Sequence, residues 1–182
     1  MPDRLHFTAD DDANALIAGD PFALLIGFTL DQQVTVMKAF VGPLALKERL
    51  GGRLDPATVA DADLDALFRI TPAIHRFPGA MAERVHDLAV FVRDHYDGDA
   101  ARVWTDAEDA EDLRARLAEL PGFGAMKVKS MSAVLAKRYG VKLAEPLVPW
   151  HPTLGDVDSA AALAEYQAQK KLHKAEWSKA QA

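Results

Sequence analysis

Cysteine is absent from the 182 residues, which excludes a disulfide frame, a thiolate nucleophile, and a cysteine-held zinc ion or iron–sulfur cluster. Chemistry here must use oxygen and nitrogen groups. Long apolar runs are missing too. The most apolar stretch, Pro21 to Leu30, is about ten residues long and is followed at once by Asp31, Gln32 and Gln33, so it is too short to cross a bilayer and reads as a buried helix. The Asp-rich start lacks both a basic segment leading into an apolar run and a small-residue cleavage pattern, so no export signal is expected and the location is expected to be cytoplasmic. His75, His86, His95 and His151 never assume a paired metal-ligand spacing, and no Gly-rich nucleotide loop is present, so neither metal nor cofactor is expected. Acids outnumber bases, 27 against 21. A formal net charge of −6 argues against blanket attraction to polyanions, which depends on a local cationic surface. The charge is uneven, however: residues 10–12, 61–65 and 106–112 are dense in acids, whereas Ala125 to Leu143 carries Lys127, Lys129, Lys137, Arg138 and Lys142 with no acid.

What is present is helical periodicity. Val34, Met37 and Val41, then Met81, Val85, Leu88 and Val92, then Ala110, Leu113, Leu117 and Leu120 follow the 3.6-residue repeat, and no comparable run alternates. Asp20-Pro21, Asp55-Pro56 and Pro78-Gly79 read as helix entries, and Gly51-Gly52, Gly98 and Gly140 as exits. The expectation is an all-α chain of about eight or nine helices forming a single unit over residues 1–182. From Lys142 to Asp158, Pro146, Pro149, Pro152 and Gly155 break the pattern, which predicts a long irregular connection. Beyond it Asp158-Ser159 is placed to cap a final helix over 159–182.

The most informative segment is Leu120-Pro121-Gly122-Phe123-Gly124, between an acidic helix ending near Glu119 and a basic amphipathic helix from about Ala125 to Tyr139. Two glycines allow positive φ and leave no Cβ in the way, so a tight hairpin can turn backbone N–H groups toward an anion at a helix N-terminus. In the second helix Val128, Met131, Leu135 and Tyr139 make the apolar stripe, while Lys127, Ser130 and Lys137 share a neighbouring face expected to stay open to a nucleic-acid backbone.

Leu-Pro-Gly-x-Gly between these two helices resembles the DNA-binding hairpin of the helix-hairpin-helix DNA glycosylases of base-excision repair. Leu25 to Val34, an apolar run ending in Asp31-Gln32-Gln33, resembles the early helix of that superfamily, whose glutamines reach into the space a flipped base vacates. The resemblance spans about residues 20–140. Arg76 to Val85 and Asp156 to Ser159 are similar to a poorly characterised actinobacterial-type branch. The resemblance implies two helical lobes around a cleft and a double-stranded DNA partner carrying a damaged or mispaired base, with nucleoid association in a bacterial cell. It implies DNA contacts from Leu120, Gly122, Gly124, Lys127 and Lys129, with Gln32 or Gln33 filling the gap.

Bifunctional relatives place a Schiff-base lysine two residues after the second hairpin glycine. Met126 stands there and Lys127 one place later, a turn of about 100° on a helix. The resemblance therefore implies a monofunctional glycosylase without lyase activity, with Lys127 on phosphate. Relatives also carry an essential aspartate about twenty residues after that glycine. Glu145 has roughly the right spacing but one extra methylene. Asp156 follows the expected loop composition but lies about ten residues too far along, so the two stand as alternatives. Two rival readings remain at this point: a non-catalytic DNA-binding protein of the same fold, and a helical interaction protein with no DNA role. Trp104, Trp150 and Phe123 are each open to base stacking or to filling the core.

Overall fold

The computed structural model describes residues 1–181, leaving aside the side chains of residues 177 and 181. Ten α-helices and two 3-10 turns make up the regular structure of the described residues, with no strand among them, so the chain is all-α. Helices α1 (Asp11–Gly19) and α2 (Pro21–Leu30) meet in a bend of 114°. Asp20 makes this bend: its side chain accepts N–H bonds from Phe22 and Ala23, while Pro21 begins α2 where no N–H is needed. From Phe22 onward every residue of α2 is buried, which makes it the central rod of the core.

Helix α3 (Val36–Arg49) lies along α2. The contact is close because Gly27 leaves room for the Phe40 ring, which any Cβ at that position would strike. Phe40 in turn meets Phe28 and Phe7 edge-on, with ring centroids 5.2 and 5.0 Å away. Short helices α4 (Pro56–Asp61) and α5 (Leu64–Arg69) pack on the long α6 (Pro78–His95), which also touches α2. A one-turn α7 (Arg102–Thr105) leads into α8 (Ala110–Glu119) and then α9 (Ala125–Tyr139).

Helix α9 is tied at its two ends to the first two helices, its C-terminal end to α1 and its N-terminal end to the end of α2. At its C-terminal end the Tyr139 hydroxyl reaches the carbonyls of Ile17 and Ala18 at 3.1 and 3.0 Å. At its N-terminal end Phe123 packs near Phe28, with centroids 6.4 Å apart. The 3-10 turns Lys142–Leu147 and Leu154–Asp156 break up the proline-rich connection and pack back on α9. Helix α10 (Ala160–Gln181) completes the chain. Its first turn is capped by Ser159, whose hydroxyl accepts the Ala162 N–H at 3.0 Å, so the cap is the serine and not Asp158. No single helix among the described residues is long and apolar enough to cross a membrane.

The expected entries at Pro21, Pro56 and Pro78 are all helix starts, and the glycine exits at 51, 52, 98 and 140 all carry positive φ. Val34 departs from its periodicity. Thr35 caps α3 by accepting the Lys38 N–H, which leaves Val34 in the preceding turn.

Candidate functional site

The hairpin between α8 and α9 is built by turn chemistry. Phe123 N–H donates to the Leu120 carbonyl at 3.0 Å across Pro121 and Gly122. Gly122 has φ +81°, as the third residue of a type II turn requires, and nothing lies within 4 Å of where its Cβ would be. Gly124 begins α9 without a side-chain cap, and Gly124, Ala125 and Met126 are exposed, so the first amides of α9 face solvent. Leu120 and Phe123 are buried and anchor the turn from beneath, and Lys129 is exposed.

Lys127 takes another course. Its ammonium donates to the Thr29 carbonyl at the end of α2, 3.3 Å away, and lies 5.8 Å from the Phe123 ring centre. Burial lowers its pKa to about 8, against the opposing pull of Asp31, while Arg84 lowers it further. Asp31, the first residue after α2, is itself pushed above the usual carboxylate range by burial, with Lys170 and Lys127 acting the other way. Ser130 is half-buried, and Lys137 bonds Asp156, so the expected open face of α9 is partly engaged by the protein itself.

The turn after α2 is held by a histidine from a distant segment. His75 is fully buried, and its Nε2 lies 3.0 Å from the carbonyls of both Leu30 and Gln32, while its Nδ1 accepts the Phe77 N–H at 3.0 Å. Nδ1 must therefore be bare and Nε2 must carry the proton, which fixes the neutral tautomer. Burial lowers the His75 pKa in keeping with this, outweighing its bonds to Leu30 and Gln32. Gln32 is folded back: its amide donates to Thr29 at 3.0 Å and its carbonyl oxygen accepts from Arg84 of α6. Gln33 is exposed and takes φ +56°, an uncommon backbone for a non-glycine residue. Of the two glutamines, Gln33 is the one free to project.

The two candidate carboxylates lie elsewhere. Asp156 completes a capping box with Thr153, accepting its N–H at 2.8 Å, and also bonds Lys137. Burial opposes ionisation, but these donors hold the Asp156 carboxyl below its ordinary range. It borders a hollow of about 310 Å³ with Trp150, His151 and Tyr166. Glu145 is exposed and pairs with Lys142 at 3.4 Å. Trp104 and Phe123 belong to the core, whereas Trp150 is 96% exposed.

The geometry therefore gathers the hairpin, Lys127, Asp31, Gln32, Gln33, Arg84 and His75 at one end of α2. Sequence reading named the hairpin and the glutamines. It gave Asp31 no role beyond the motif, and it missed His75 and Arg84. The one local signal for Asp31 is a carboxylate directly after a fully apolar helix, and nothing local marks His75. Thr153-x-x-Asp156, by contrast, is a capping pattern legible in the sequence. Among the described residues no three His, Asp or Glu side chains converge as metal ligands. No family model, curated protein or solved structure matches the chain.

Proposed function

We propose that this chain binds duplex DNA through the 120–129 hairpin and the 31–33 turn and acts there as a monofunctional DNA glycosylase. It would hydrolyse the N-glycosidic bond of a damaged or mispaired base, with two helical lobes meeting at that turn. One observation carries the reading: Lys127, from the first turn of the hairpin helix, reaches the end of α2, so a phosphate-type hairpin and an exposed Gln33 stand side by side. Gln33 is the residue that fills the space of a flipped base, and the open amides of α9 with Lys129 take phosphate.

On this reading Asp31 is the working carboxylate. It is half-buried beside Lys127, so its charge acts in a poorly screened setting on a sugar that becomes cationic as the bond breaks. Asp156 and Glu145 are left with structural partners. Lys170 and then Lys127 favour the charged form of Asp31 against burial, and Lys127 does not attack the sugar, its ammonium being turned onto Thr29.

The test is a panel of duplexes, each bearing one lesion or mismatch, incubated with the protein and then treated with alkali. A strand break after alkali alone supports the reading and names the substrate. A break before alkali removes the monofunctional assignment. The second reading, a DNA-binding protein that does not cut, is favoured by the structural engagement of Asp156 and Glu145, and it predicts an intact panel with retained binding.

A further inference from the structure

The C-terminal helix α10 carries Gln167, Lys170, Lys171 and Lys174 at spacing i, i+3, i+4, i+7, which is one helical face. That face borders a groove of about 790 Å³. Val34, Val36 and Met37 contribute apolar side chains to its lining, Arg76 adds a fourth cation, and Asp31 and Gln33 bring the turn after α2 to it. A helix normally turns apolar residues at this spacing toward a neighbouring element. Here three ammonium groups occupy those positions.

Lys170 rests 6.0 Å from the Tyr166 ring centre and Arg76 5.3 Å from that of Phe77. Among the described residues no carboxylate lies within salt-bridge distance of any of the four cations. Asp31 is the sole carboxylate in the lining. Four cations against one acid, in a chain of net charge −6, is a local concentration of positive charge whose self-repulsion a polyanion relieves. The groove also connects with the site above, since Asp31 feels both Lys170 from α10 and Lys127 from α9.

We propose that this groove is a second nucleic-acid contact, in which the sugar-phosphate backbone of a DNA strand lies along α10. Lys170, Lys171, Lys174 and Arg76 take its phosphates, and the partly exposed Val34 and Met37 meet its sugar and base faces. Gln33 then projects between two phosphate-binding walls, the hairpin on one side and α10 on the other. The inference rests on the DNA reading above and extends it to a segment outside the hairpin.

The experiment is fluorescence-anisotropy titration of a labelled duplex across a salt series. It compares the full chain with a Lys170→Glu/Lys171→Glu/Lys174→Glu variant, a milder Lys→Gln version of the same three changes, and a Lys127→Glu/Lys129→Glu hairpin variant. All three α10 lysines are exposed, and circular dichroism checks that each variant keeps its helix content. The expected result is a tenfold or greater loss of affinity in the α10 Glu variant near 0.1 M salt, a smaller loss in the Gln version, and a salt slope reduced by about three. Unchanged affinity and slope in both α10 variants, with loss in the hairpin variant, overturns the groove and leaves the hairpin standing. Loss in the α10 variants alone keeps the groove and overturns the hairpin reading. A wild-type chain that binds no duplex overturns both.

Discussion

The Lys127 ammonium stands 3.3 Å from the Thr29 carbonyl oxygen, across 98 residues of sequence. This bond joins the first turn of α9 to the last turn of α2 and sets a lysine with a pKa of about 8 beside a carboxylate raised by burial. Both groups are perturbed first by loss of water; the next cause is the Asp31 charge for Lys127, and Lys170 ahead of Lys127 for Asp31.

One prediction concerns the charge on Lys127. Its pKa of about 8 lies below the ordinary 10.5, so the ammonium is lost in the folded chain as pH rises through about 8. If that charge supports DNA binding, through Asp31 or phosphate, affinity measured at constant ionic strength declines between pH 7 and 9. Lys127→Arg, which stays charged throughout, flattens the decline. Identical pH profiles for the two proteins count against a role for the ammonium.

A second prediction follows from His75. Its folded pKa is depressed by burial, so below its unfolded value of about 6.5 the unfolded chain binds the extra proton more readily. The stability His75 contributes is therefore present above about pH 6.5 and is lost as pH falls toward the folded value. Urea midpoints measured from pH 7.5 to 5 should fall in the wild type, and fall less in His75→Gln. Equal slopes would show that other groups govern the acid limb.

Gly122→Ala should weaken the hairpin. An L-residue at φ +81° costs about 1–2 kcal/mol, and the open space around Gly122 means that the cost is conformational and not steric. Denaturant unfolding measures the cost, and a parallel loss of duplex affinity would tie it to the turn. Gly27→Ala differs in kind, because its Cβ would meet the Phe40 ring inside the core. The expected destabilisation is about 1–3 kcal/mol, from overpacking.

Much of the fold was legible because its signals are local. Proline at Pro21, Pro56 and Pro78 fixes φ and lacks an N–H, so it marks helix starts wherever the chain places it. The hairpin was legible for the same reason, since Pro121-Gly122 specifies its own turn. The interior of the site was not. His75 joins Leu30 across 45 residues and Lys127 joins Thr29 across 98, and no periodicity encodes such pairings. Lys127 reads in sequence as one cation of a basic helix, because helical phase alone does not say which neighbour a face will meet. Asp156 was weighed as a catalytic group by loop composition, whereas its local partner Thr153 makes it a cap.

The carboxylates separate cleanly by mutation. Asp156→Asn keeps an oxygen able to accept the Thr153 N–H and loses only the charge facing Lys137, so it should cost less than about 1 kcal/mol of stability and leave base release intact. Asp31→Asn should abolish base release while duplex binding persists. The reverse pattern, release lost in Asp156→Asn and retained in Asp31→Asn, would move the chemistry to the hollow beside Tyr166.

Hydrogen–deuterium exchange of the full chain, with and without a duplex carrying an abasic-site analogue, tests the central claim most directly, because it reads the hairpin and the glutamine turn in one experiment. The account predicts slowed exchange at 122–128 and at 31–34 together on DNA binding. Binding that leaves both segments exchanging at their free rates would contradict it.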